Sequence, residues 1–273
     1  MTGIPGRLVD MHVHTTDSPD AELEAAELAS RAAGAGLRGL GFVAHVDFHP
    51  SDCCTGAFSA GGYDASFGRA AISAQEVMLL KGVEIGEPHL FMGRAEEAMA
   101  GRRYDFVTGA LHWVGDRLLL DAEGFAGSTP EELVERYILE STEIASTSRI
   151  DILAHFGIWR RGLAKAGMPV APDEAAIWPG LLGRLFEAMI DRGIALELNT
   201  AGLRRREAVT YPTPAVLSAY RRLGGRLVTL GSDTHGEPHV FFGLSRGAEV
   251  LAAAGFDRAF FFREGEPVSY PLG

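Results

Sequence analysis

A parallel α/β barrel is predicted from three observations. Strand-like and helix-like segments alternate about seven times, no shift in composition divides the chain, and histidine or acidic residues stand near the ends of most strand-like runs. Alternating β and α units imply a parallel sheet. Side chains of ligand type spread over many strand ends favour a closed barrel with one active face, since an open doubly wound sheet gathers them at one switch point. The 273 residues fit a single domain, read as 1–273.

The first strand is Leu8 to Val13, and alternation along it puts His12 and His14 on one side. Glu22 to Ala35 follows as a helix, with Ala25, Leu28, Ala29 and Ala32 on one face and Asp20 placed to cap it. Leu37 to Val43 is the next strand and leads to His45, and Ser51 to Gly62 reads as a loop. A helix over Ala70 to Leu80 precedes a strand from Lys81 to Ile85 that carries Glu84, and Asp105 to Leu111 is a strand ending at His112. Ser128 or Thr129 caps a helix beginning at Pro130. Ile150 to Ala154 is a strand ending at His155. Beyond it lie a helix over Leu181 to Ile190, a strand over Ile194 to Leu198 and a helix near Pro214 to Leu223. A strand over Arg226 to Leu230 then runs into Gly231-Ser232-Asp233-Thr234-His235, and a helix over Phe241 to Ala254 precedes a last strand, Ala259 to Phe262.

The charge of −11, from 25 basic and 36 acidic residues, includes no basic run. The chain is therefore not built to hold a nucleic-acid backbone, and an anionic substrate would need local positive charge. No segment approaches the ~18 apolar residues of a membrane span, and the first residues lack the apolar stretch of a signal peptide. The two cysteines, Cys53 and Cys54, are adjacent and make a poor disulfide pair, so a reducing cytoplasm is expected. There is no Gly-x-x-x-x-Gly-Lys-Ser/Thr phosphate loop.

Taken singly, His45, His112 and His155 could be ordinary buried histidines, Glu84 a salt-bridged residue and Asp233 a turn cap. Together, six histidines, Glu84 and Asp233 at strand ends point to metal ligation. The set Asp10-Met11-His12-Val13-His14-Thr15, Ala44-His45, Gly82-Val83-Glu84, Leu111-His112, Ala154-His155 and Gly231-Ser232-Asp233-Thr234-His235 resembles the polymerase-and-histidinol-phosphatase (PHP) superfamily. His45-Val46-Asp47-Phe48 and Glu197-Leu198-Asn199-Thr200-Ala201-Gly202-Leu203-Arg204 with Tyr211-Pro212 are similar to its histidinol-phosphatase branch. Ala44 departs from the pattern, which more usually has an acidic residue there.

The resemblance implies a distorted (β/α)7 TIM-like barrel and two or three divalent ions, of zinc, manganese or iron. It places His12, His14, Glu84 and Asp233 on the first metal, and Glu84, His112 and His155 on the second. It places His45, His235 and either Asp20 or Asp17, with Asp20 preferred, on the third. His12, His14, Glu84, Asp233 and His235 are then the catalytic set. Close-spaced ions bring the pKa of water from ~15.7 to about 7, so no Ser or Cys nucleophile is required.

For the phosphate, Arg160 and Arg204 are the implied partners, while Arg161, Arg205 and Arg206 could equally be solvated surface charge. Trp159 and His89 could meet the other end of a substrate. The implied activity is hydrolysis of L-histidinol phosphate, a small phosphomonoester, in histidine biosynthesis. A phosphoesterase acting on nucleotides or oligonucleotide ends is the alternative. A barrel that has lost catalysis fits least, because the ligand positions read intact.

Overall fold

The computed structural model describes residues 8–169 and 173–272. Seven parallel strands form one sheet: β1 (Val9–Val13), β2 (Gly39–Val46), β3 (Met78–Gly86), β4 (Phe106–Ala110), β7 (Ile152–Leu153), β8 (Ala195–Asn199) and β9 (Val228–Gly231). They stand side by side in chain order, and every neighbouring pair is parallel. The two outer strands approach each other at the site end. A parallel bridge pairs Val13 with Thr234, Asp233 N–H donates to His12 O at 2.9 Å, and His14 N–H donates to Thr234 O at 2.9 Å. The barrel is thus nearly closed, and the residues that join its edges are those carrying the ligand-type side chains.

Helices cover the outside: α1 (Ala25–Ala35), α2 (Ala60–Ser73), α3 (Pro88–Met99), α4 (Pro130–Thr147), α7 (Pro179–Arg192), α8 (Pro214–Arg222) and α9 (Leu244–Ala253). Two short helices, α5 (Arg160–Lys165) and α6 (Glu174–Ile177), follow β7 at the site end. The hairpin of β5 (Trp113–Val114) and β6 (Arg117–Leu118) rises beyond β4. β1 is buried along its whole length, consistent with a parallel strand covered on both faces. α4 starts as its sequence predicts, with Thr129 and Glu132 forming a reciprocal capping box before Pro130. No described helix is long and apolar enough to cross a membrane.

Three expectations about elements change. The stretch 70–80 is the end of α2 followed by the start of β3; α2 begins at Ala60, inside the expected loop Ser51 to Gly62, because small residues (Ala60, Gly61, Gly62, Ala65, Gly68) weaken its apolar pattern. α1 begins at Ala25 after Glu24, and Asp20 does not cap it. The last apolar strand is not a barrel strand but β10 (Arg258–Arg263), paired antiparallel with β11 (Glu266–Pro271) in a separate hairpin.

Candidate metal centre

β1, β2 and β3 deliver the centre of the site. Glu84 lies directly opposite His45, its register partner across β2 and β3. It is 1% exposed, and its two oxygens face different histidines. Oε2 lies 3.4 Å from His12 Nε2, 3.2 Å from His14 Nε2 and 3.5 Å from His45 Nδ1. Oε1 lies 2.9 Å from His155 Nε2 and 3.7 Å from His112 Nε2.

Asp233 Oδ1 completes the first group, 3.7 Å from His12 Nε2 and 3.8 Å from His14 Nε2, and lies 3.3 Å from His235 Nδ1. Asp20 Oδ2 sits 3.1 Å from His235 Nε2 and 3.5 Å from His45 Nε2. Asp17 instead accepts from Thr15 Oγ1 at 2.8 Å. All nine residues expected as ligands therefore converge, and Asp20 rather than Asp17 joins them. His14 also belongs with Asp20, His45 and His235, so the groups overlap more than the separate sets suggested.

The donor chemistry fits divalent cations. His12 Nε2 and His14 Nε2 are 3.1 Å apart, and His112 Nε2 and His155 Nε2 are 3.4 Å apart, each pair aimed at one Glu84 oxygen. Lone pairs that converge in this way on a buried carboxylate need positive charge between them, from protons or from metal ions. Burial pushes the Glu84 carboxyl up, yet the His12 and His45 charges and hydrogen bonds from His12 and His14 outweigh it and hold Glu84 well below the usual range. His235, then His12 and His14, hold Asp233 low against the same burial. Burial, then the charges of His235 and His45, push His14 down to about 3, which leaves its imidazole neutral. Ionised carboxylates and neutral imidazole are the forms that ligate metals. Against their burial, the neighbouring carboxylates push His12, His45 and His235 up, so an ion bound there would take the place of their protons.

Further residues orient the histidines. Glu197 Oε1 lies 2.7 Å from His12 Nδ1, which turns Nε2 into the site, and Glu197 Oε2 accepts from His155 N–H at 2.7 Å. Asp47 Oδ2 is 2.9 Å from His45 Nδ1, and Asp47 Oδ1 accepts from Gly86 N–H at 2.8 Å. A Cβ at Gly86 would collide with that Asp47 oxygen, and one at Gly231 would collide with Glu197 and His12. These two glycines make room for the orienting carboxylates. Glu87 Oε1 accepts from the backbone N–H of His112 and of Trp113, at 2.8 and 3.0 Å. Burial, above all, pushes its carboxyl up to about 8. Sequence reasoning did not single out Glu197, Asp47 or Glu87 as site residues. Asp47 and Glu197 stand inside motifs that carry the family resemblance, which is the signal available for them, whereas Glu87 lies outside those motifs. His155 and Asp233 both have left-handed backbone, φ 28 and φ 56, which locates conformational strain at the site.

Above this floor lies a cavity of about 340 Å³, lined on one side by Glu84, His112, His155, Asp233 and His235 and on the other by Asp52, Trp113, Leu118, Leu120 and Asp121. Arg161 is its only arginine among the described residues. Neither arginine expected to hold phosphate lines it. Arg160 is 2% exposed and makes a bidentate pair with Glu174, at 2.5 and 2.7 Å, while its guanidinium lies 4.2 Å from the Trp159 ring. Arg204 donates to the carbonyls of Ser232 and Asp233 at 2.7 and 2.8 Å and so braces the Asp233 turn. Successive helical residues point about 100° apart, so only one of Arg160 and Arg161 can face the cavity, and the buried Glu174 decides which. Trp159 and His89 do not line it either: Trp159 is fully buried, and His89 Nε2 is 3.7 Å from Glu140.

A model of the PHP domain matches residues 10–201. A protein of Thermotoga maritima named "Probable histidinol-phosphatase" is 24% identical over 92% of this chain and 94% of its own length. One of the same name from Clostridium acetobutylicum is 26% identical, over 83% of this chain and 86% of its own. The crystal structure of histidinol phosphate phosphatase from Lactococcus lactis, complexed with zinc, L-histidinol and phosphate, superposes with a TM-score of 0.84 at 21% identity. That match covers 96% of this chain and 99% of the other, and it shows that the fold is shared.

Arg160→Ala should cost about 3–5 kcal/mol of stability by leaving Glu174 buried without its partner, read as a lower urea midpoint. Glu197→Gln should weaken metal binding about 10–100-fold in chelator competition, because an amide cannot accept from both His12 and His155 with the strength of a carboxylate.

Proposed function

The chain belongs to the PHP family, and on that premise we propose that it is a metal-dependent phosphatase that hydrolyses L-histidinol phosphate to L-histidinol and phosphate. The observation that carries this reading is the position of Glu84, with one oxygen toward His12 and His14 and the other toward His112 and His155, on the floor of a small cavity. The names of the relatives, and the histidinol and phosphate bound by the Lactococcus protein, support the choice of substrate.

His12, His14, Glu84 and Asp233 would hold one ion, Glu84, His112 and His155 a second, and Asp20, His45 and His235 a third. Bound divalent ions supply Lewis acidity, making water acidic enough to yield hydroxide near neutral pH and drawing charge from the phosphoryl group. The protein's own part is positioning. Glu197 and Asp47 fix the rings of His12 and His45. Arg161 lines the cavity, and its guanidinium makes no hydrogen bond or ion pair among the described residues, which places it for phosphoryl oxygens. Asp233 and His235 border the cavity together, and we assign proton transfer at the leaving oxygen to this pair. The apolar wall of Leu118, Leu120 and Ile158 limits water around the organic end.

The decisive assay is phosphate release from L-histidinol phosphate beside nucleoside and sugar phosphates, with enzyme loaded with zinc, manganese or iron. Strong preference for histidinol phosphate is expected, together with loss of turnover and of bound metal in Glu84→Ala. Indiscriminate release, or full activity and metal content in Glu84→Ala, would overturn the reading. Arg161→Ala should lower kcat/KM roughly 10- to 100-fold, the range for losing a hydrogen bond to a charged group, without the stability loss expected of Arg160→Ala.

A further inference from the structure

The wall of the cavity contains a second group of metal-type donors that the phosphatase chemistry does not use. The chain's only two cysteines, Cys53 and Cys54, sit in the turn after β2, with Cys53 exposed and Cys54 buried. Their sulfurs are 3.7 Å apart. A tetrahedral ion with metal–sulfur bonds of about 2.3 Å holds its two sulfurs about 3.8 Å apart, so the pair already has the bite of a thiolate chelate. An Asp52 carboxylate oxygen lies with both sulfurs, all within 4.8 Å of one another.

The turn is held from both sides. Asp52 Oδ1 accepts from Cys54 N–H at 2.8 Å, and Oδ2 accepts from Trp113 Nε1 at 2.9 Å. Thr55 bridges to Asp47, and Gly56 N–H donates to Asp47 O at 3.0 Å. Donors fixed before binding need little reordering to take an ion. Cys54 also falls in a buried donor group with His45 and Asp47, so the turn lies between solvent and the deep histidine cluster. The deep cluster offers nitrogen and oxygen, with the Cys54 sulfur at its edge beside His45 and Asp47, whereas this group offers two sulfurs, and soft donors select different ions.

We propose that Cys53, Cys54 and Asp52 form a separate site for one thiophilic divalent cation of the zinc and cadmium class at the mouth of the cavity, with water completing a tetrahedral shell. Two metal–sulfur bonds form as the two thiols release two protons to solvent. The inference does not depend on which phosphoester the enzyme hydrolyses.

The test uses the full chain, first loaded at its deep centre with zinc, then stripped of thiolate-bound zinc by a brief chelator wash and kept reduced with a phosphine, and finally titrated with Co²⁺. Sulfur-to-cobalt charge-transfer absorption reports thiolate ligation, and Cys53→Ser separates the two places a thiolate could act: an undiminished band there would put the ion on Cys54 with His45 and Asp47 and overturn the proposal. The band should grow to saturation at one Co²⁺ per chain, with Cd²⁺ displacing it. It should vanish in Cys53→Ser/Cys54→Ser whose circular dichroism matches the parent, and Asp52→Asn should shift its midpoint to higher Co²⁺. Absence of the band in the parent, its survival in the double variant, or saturation at one Co²⁺ per two chains would each overturn the proposal. The last result would mean that exposed Cys53 bridges two copies instead.

Discussion

Mutual neutralisation of buried charge is the constraint on which the site end of this barrel depends. Glu84, Asp233, His12, His14, His112 and His155 are nearly withdrawn from water, in surroundings where an unpaired charge is costly. Glu84 resolves this by sharing: each of its oxygens answers a different set of imidazoles. A single carboxylate placed at the barrel axis can therefore join two donor groups, and the remaining acids, Asp20 and Asp233, serve the outer imidazoles. The same convergence that is awkward for an unfilled protein interior is what divalent cations require.

The arrangement is kept in place by groups that stand behind the donors. Asp10 Oδ1 accepts from Ser232 N–H at 2.9 Å, tying β1 to the turn beyond β9. Glu197 touches His12 and the backbone of His155, and so links strands at opposite sides of the histidine cluster. Asp47 links β2 to the end of β3, and Glu87 holds the segment containing His112. These carboxylates fix ring orientation through the ring nitrogen or backbone that the site does not use. Barrel closure and site assembly are thus one process, because the hydrogen bonds that join β1 to the β9 exit run through His12, Asp233 and His14 themselves.

Positive charge follows a similar division between structure and chemistry. In a chain of net charge −11, the described residues give the cavity one arginine of its own, Arg161. Its neighbour Arg160 is committed to Glu174, and Arg204 is committed to the carbonyls around Asp233. The phosphate-binding role we give Arg161 thus falls to the cavity-lining arginine that no ion pair or hydrogen bond commits elsewhere among the described residues.

The sequence by itself determined the alternation of elements, the parallel barrel and the residues able to meet at its one functional end. It could do so because strand and helix periods are local, and because His12, Glu84, His155 and Asp233 each follow or end an apolar run that the chain must bury. The tertiary structure alone decided which arginine faces the cavity, since Arg160 and Arg161 differ only in where a buried Glu174 lies. It also decided that Asp20, not Asp17, joins His45 and His235, and that Glu197 and Asp47 stand behind the histidines. These outcomes depend on contacts between residues far apart in the chain, and periodicity carries no information about which distant partner a side chain will meet.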